Sequence, residues 1–187
     1  YEKLVENKYE NLEFLGNIHE KAVEYCDDNW SLVTMQKVIS IRKELEKSNI
    51  VVYIDGDIVV EDSRFITYCY EKLNENKDID MLAQREWRGD NDKNEICTGF
   101  LAIRSNEKTK KFFEFDINKK ERNDQHFVNG KRHCLNIELL PEELFPNGKF
   151  YYTRSSKTKL DPYLIHFNFV KSHDKIPKMK SNNKWYL

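Results

Sequence analysis

Five consecutive apolar residues, Ile50-Val51-Val52-Tyr53-Ile54, run straight into Asp55-Gly56-Asp57. The run is β-branched and aromatic and has polar neighbours, so it reads as a strand buried on both faces, as in a parallel sheet. Such a strand needs packing layers above and below it. The rest of the chain supplies candidates, because further short apolar runs alternate with amphipathic stretches. The expectation is an α/β fold with a Rossmann-like, mostly parallel central sheet flanked by helices, in one domain spanning residues 1–187.

Strands are expected at 11–15, 81–83, 99–103, 137–140, 150–152 and 164–167, and helices at 18–26, 65–73 and 107–115. In residues 32–45, Val33, Val38, Ile41 and Leu45 recur at helical spacing, with Lys and Glu on the other face. A short helix over 123–128 would be capped by Asn123 or Asp124. The basic tail 171–180 holds Pro177 and is expected to be irregular. Trp30 and Trp87 are read as packing residues.

Composition excludes several classes. The chain is 39% hydrophobic and 13% aromatic, which excludes a disordered chain. Its formal net charge of -1 argues against broad nucleic-acid or membrane-surface binding. Cys26, Cys69, Cys97 and Cys134 form no CxxC pair, so a zinc knuckle is not expected. They read as reduced thiols in a soluble, cytoplasmic protein. No run is apolar enough to span a bilayer and no signal peptide is visible, with an anchor or a larger parent chain left open beyond Tyr1.

In an open α/β sheet, ligands bind at the carboxyl ends of strands. That rule points to Asp55-Gly56-Asp57, where two carboxylates one residue apart can face one divalent cation. Gly56 would remove bulk where the backbone bends close to a ligand. Two other Asp-x-Asp pairs, Asp78/Asp80 and Asp90/Asp92, lie in polar stretches and read as solvated loop charge. Only Asp55/Asp57 ends an apolar strand, where unpaired carboxylates are costly without a cation. A further ligand is available in His166, near the end of the last apolar run. Lys171, Lys175, Lys178 and Lys180 follow it, as suits a diphosphate between them. Arg85, after the strand at 81–83, is a cation placed to meet a sugar or diphosphate.

Four segments in order carry a family resemblance. Ile50 through Val60 resembles the DxD strand of glycosyltransferases with the GT-A fold. Thr98-Gly99-Phe100-Leu101-Ala102-Ile103-Arg104-Ser105-Asn106, Asn123-Asp124-Gln125-His126-Phe127-Val128-Asn129 and His166-Phe167-Asn168 are similar to later elements of the same enzymes. The likeness is to retaining families such as the nucleotide-diphospho-sugar transferases, and to the small transferase domains of large DNA viruses.

That resemblance implies Mn2+ or Mg2+ held by Asp55, Asp57 and His166, with Asp55 also near the donor ribose. It implies a nucleotide-diphosphate sugar donor, UDP favoured, and a glycan or other hydroxyl acceptor. Gly16 and Asn17 would lie near the nucleotide, and Lys171 or Lys175 would hold a phosphate. Asp124 and Gln125 would sit by the anomeric carbon or the acceptor. The chain departs from the related His-x-x-Gly-x-x-Lys motif in having Phe169 and Ser172 where the motif has Gly and Lys. Two other readings compete. One is a haloacid-dehalogenase-type phosphatase, with Asp55 as nucleophile and Asp57 as acid/base. The other is a domain that binds a glycan or partner without catalysis.

Overall fold

The computed structural model describes residues 30–89, 94–116, 119, 121–155 and 159–185. The expected first strand and helix, Gly16, Asn17, Cys26, Asp90 and Asp92 lie outside these residues.

Helix α1 (Trp30–Glu44) turns Met35, Val38 and Ile41 inward, and Leu45 continues that stripe. It leads into strand β1 (Ile50–Ile54), the Asp55-Gly56-Asp57 turn and strand β2 (Ile58–Val60). Helix α2 (Arg64–Glu75) buries Phe65, Cys69 and Leu73 at helical spacing. Strands β3 (Met81–Arg85) and β4 (Ile96–Arg104) follow. Helix α3 (Glu107–Phe112) opens on a reciprocal cap between Asn106 and Thr109. Asn123 caps helix α4 (Asp124–Lys131) by accepting from the His126 amide. Strand β5 (Ile137–Leu139), helix α5 (Gly148–Arg154), strand β6 (Leu164–His166) and helix α6 (Ser172–Ser181) complete the order.

The central sheet runs β1-β4-β3-β5. β4 is antiparallel to both β1 and β3, and only β3 with β5 is parallel. Among the described residues the sheet is therefore mixed, not mostly parallel. β1 pairs with β4 alone among them, and Val52 is exposed, so its apolar run is not fully buried.

Alternation along β4 divides the interior into two cores. Leu101 and Ile103 join Met35, Val38, Ile41, Phe112, Phe113 and Phe127 on one face. Phe100 and Ala102 join Phe65, Leu73, Phe145 and Leu164 on the other. A strand packed on both faces is shielded along its length, which is why Ile96–Arg104 is buried from Ile96 to Ile103.

Three expectations change. Residues 150–152 are helical, not a strand: Asn147 accepts from the Phe150 amide, and this cap overrides the strand preference of Phe-Tyr-Tyr. The tail is helix α6, with Pro177 inside it. Packing of Met179 with Tyr151, Ile165 and Phe167 outweighs the backbone bond that proline removes. Asp80 is no solvated loop charge, being buried and accepting from the Asn106 side chain and the Asn136 amide.

Among the described residues no helix is long and apolar enough to cross a membrane. Cys69, Cys97 and Cys134 are free thiols.

Candidate active site

The turn after β1 and the end of β6 are brought together by strand pairing. β2 leaves Asp57 and pairs antiparallel with β6, setting Ile58 opposite His166. The Phe167 amide extends the ladder to the Asp57 carbonyl at 2.9 Å, and the Ile58 amide closes the turn on the Asp55 carbonyl at 3.1 Å. Beneath the turn, the Asp55 amide donates to the Gly99 carbonyl at 2.8 Å, continuing the β1–β4 ladder.

This topology gathers one ligand atom each from Asp55, Asp57 and His166 within 4.8 Å of one another. His166 Nε2 lies 3.1 Å from Asp57 Oδ1 and 4.0 Å from Asp55 Oδ2. Its other nitrogen, Nδ1, lies 2.9 Å from Gln84 Oε1 and 3.5 Å from Cys97 Sγ. An imidazole nitrogen can face a carboxylate oxygen this closely only with a proton or a cation between them. Two carboxylates and one imidazole suit a divalent ion that accepts mixed oxygen and nitrogen ligands, so the side chains fit Mn2+ or Mg2+.

Gly99 makes room for the imidazole. A Cβ there would stand 2.1 Å from His166 Cε1 and 2.5 Å from Nδ1. Gly56 differs, since apart from its two chain neighbours nothing lies within 4 Å of where its Cβ would be. Protein packing therefore gives no reason for glycine at that turn.

Lys37 is the residue that sequence reasoning missed most completely. It points inward from α1, 9% exposed, and bridges Asp55 Oδ1 at 2.8 Å and Asp124 Oδ2 at 2.6 Å. It also donates to the Thr98 carbonyl at 3.1 Å, and Thr98 Oγ1 donates to Asp124 at 2.6 Å. Burial by itself would lower the lysine pKa, but the charges of Asp55 and Asp124 outweigh it and hold it well above the ordinary value. The only sequence signal was a lysine among the inward positions of an amphipathic helix. Gln84 was missed too, although a glutamine directly after the apolar run Met81-Leu82-Ala83, within one strand, was a visible exception.

Of the two lysines proposed for a phosphate, Lys175 sits beside the carboxylates, 2.5 Å from Asp57 Oδ2. Lys171 is exposed at the start of α6. Burial would raise the Asp57 pKa, but the hydrogen bond and charge of His166, with the charge of Lys175, hold it well below the usual carboxylate range. Asp124 is buried in the Lys37 cluster, and Gln125 follows it in the first turn of α4. Arg85 Nη1 is paired with Glu142 Oε1 at 2.5 Å, and strand alternation turns Arg85 away from the Gln84 side of β3. Trp87 is a packing residue, edge-on to Phe150 at 5.4 Å. Phe169, where the motif has glycine, takes a left-handed φ of 59° and is exposed. That conformation accounts for the glycine the motif places there.

Residues 1–180 match the nucleotide-diphospho-sugar transferase family. The chain is 27% identical over 204 aligned residues to a UDP-galactose:fucoside alpha-3-galactosyltransferase of Dictyostelium discoideum. The match covers 92% of this chain but 31% of that protein, so the chain spans about a third of the relative's length. Among solved structures, a glycosyltransferase involved in glycosylating the major capsid of PBCV-1 superposes with a TM-score of 0.58 at 12% identity, over 87% of this chain and 81% of that one. An active-site mutant of LgtC superposes with a TM-score of 0.53 at 12% identity, over 84% and 70%. At these identities the two structures speak for the GT-A fold.

Proposed function

The chain belongs to the nucleotide-diphospho-sugar transferase family, and on that premise we propose that it is a metal-dependent glycosyltransferase moving a sugar from a UDP-sugar to a hydroxyl of a glycan acceptor. The observation that carries this reading is the Asp55, Asp57 and His166 cluster, with Nε2 3.1 Å from a carboxylate oxygen, where a proton or a cation must lie between them. The name of the Dictyostelium relative favours galactose as the transferred sugar. A family match over residues 1–180 leaves the phosphatase reading without support.

A bound Mn2+ supplies Lewis acidity that stabilises charge on the departing diphosphate. Asp55, Asp57 and His166 would hold it, and Lys175 would take a phosphate oxygen on leaving Asp57. Lys37 fixes Asp55 and Asp124 to one another, so the metal-binding carboxylate and the carboxylate beside the sugar form a single rigid unit. Asp124 and Gln125 face the anomeric carbon and the acceptor. Gly16 and Asn17 complete the donor site. The bond from the anomeric carbon to the phosphate oxygen breaks and the bond to the acceptor oxygen forms on the same face, with retention. The acceptor proton passes to the leaving diphosphate oxygen.

The test is UDP binding measured with and without Mn2+. Asp57→Ala should abolish the metal-dependent part, because it removes a direct ligand. Asp78→Ala should leave it intact, since that side chain is exposed and far along the chain from the turn. Equal losses in the two variants would overturn the assignment.

A further inference from the structure

Gln84 lies in β3, fully buried, and its side chain meets three groups. Nε2 donates to the carbonyls of Phe145 at 3.1 Å and Pro146 at 3.0 Å. Oε1 lies 2.9 Å from His166 Nδ1. These contacts fix the orientation of the amide. Turned over, it would set an oxygen against two carbonyl oxygens and an NH2 group against the imidazole. With Oε1 toward His166, Gln84 can only accept, so Nδ1 must carry the hydrogen.

We propose that Gln84 is a positioning residue that locks His166 in the Nδ1–H tautomer, so that the Nε2 lone pair is presented to a metal between Asp55 and Asp57. The inference rests on the metal reading above and deepens it. A histidine ligand is directed by the partner of its other nitrogen, and Gln84 is that partner here. The fold makes the lock stiff. Gln84 follows a register shift in the β3–β4 ladder between Ala83 and Gln84, which re-aims its side chain. The two carbonyls that hold the amide belong to the segment leading into α5. That segment is tied to β6 by the His166 amide, which donates to the Pro146 carbonyl at 3.2 Å. One short segment thus anchors both the imidazole backbone and the amide that orients the ring. Gly99 confines the ring further, since a Cβ there would meet it. Cys97 Sγ, at 3.5 Å, is the other neighbour of Nδ1, and a thiol is too weak an acceptor to set the tautomer by itself.

The first measurement is made on the metal-free Asp57→Ala protein, where no carboxylate at 3.1 Å calls for a proton on Nε2. Long-range 1H–15N correlation spectra of that protein, whose pattern also distinguishes a neutral ring from a cationic one, report which nitrogen carries the hydrogen. His166→Gln identifies the signal among the five histidines. The Nδ1–H pattern is expected, and an Nε2–H pattern would overturn the proposal. The second is Mn2+ affinity in the presence of UDP, read from the free-ion electron paramagnetic resonance signal. Gln84→Met keeps the bulk and removes the acceptor. It should weaken Mn2+ binding by about 10- to 100-fold and, in the metal-free Asp57→Ala background, move the His166 pattern toward Nε2–H. A folded Gln84→Met protein with wild-type Mn2+ affinity, and an unchanged tautomer in the Asp57→Ala background, would refute the lock. Failure of the metal reading looks different, because wild-type protein would then bind no Mn2+ at all, while the spectra still report on the lock.

Discussion

Gly99→Ala tests the site without touching any ligand. The added carbon would stand 2.1 Å from His166 Cε1, so the ring must retreat by about 1.4 Å to reach an ordinary carbon contact of about 3.5 Å. The ring has nowhere cheap to go, since it is 4% exposed and held through Nδ1 by Gln84. Overpacking of this kind costs about 1–3 kcal/mol. A ligand displaced by more than about 0.2 Å leaves the bonding range of a metal site, so the shift also removes His166 from coordination. We expect Mn2+ affinity with UDP present to fall at least about tenfold, as for a lost contact of about 1.4 kcal/mol. The folded transition in guanidinium should move down but stay cooperative. The assay pairs Mn2+ titration with chemical denaturation. A Gly99→Ala protein that binds Mn2+ as tightly as wild type would refute the packing argument, because the imidazole could then adjust without leaving the cluster.

Lys37→Met should destabilise the fold by about 3 kcal/mol in guanidinium titration, because it strands the buried Asp124 and the half-buried Asp55 without a counter-ion; a loss below about 1 kcal/mol would count against the bridge. In acid, the folded Asp57 pKa lies below its unfolded value. Its contribution is therefore complete above the unfolded carboxyl pKa of about 3.9 and is lost as pH falls toward the folded value. Asp57→Asn should flatten the stability curve of the metal-free protein below about pH 4, and an unchanged acid limb would speak against the ion pairs drawn here. Gly130→Ala, in the last turn of α4 with nothing within 4 Å, should stabilise by about 0.5 kcal/mol. Gly148→Ala, whose Cβ would stand 2.2 Å from the Asn168 carbonyl oxygen, should destabilise by about 2 kcal/mol, and thermal melts of the two variants check the contrast.

Much of this protein follows from residue order alone. The apolar run ahead of Asp55-Gly56-Asp57, the helical spacing of Val38, Ile41 and Leu45, and the cap at Asn123 are local patterns, and local patterns carry propensity and periodicity. The carboxylate pair of the proposed metal site was legible for the same reason, since two carboxylates at a strand end are costly without a partner. The structure alone decided what depends on contacts between distant segments. Only the β2–β6 ladder brings His166 to Asp57, and only the pairing of β4 between β1 and β3 makes the sheet mixed. Lys37 and Gln84 read as ordinary helix and strand residues until the fold sets one between two carboxylates and the other against an imidazole. Residues 150–152 and the proline-containing tail became helices because capping and burial against β6 outweigh local preference. Periodicity reports which face of an element is apolar, whereas the partner of a buried polar group is chosen by tertiary packing.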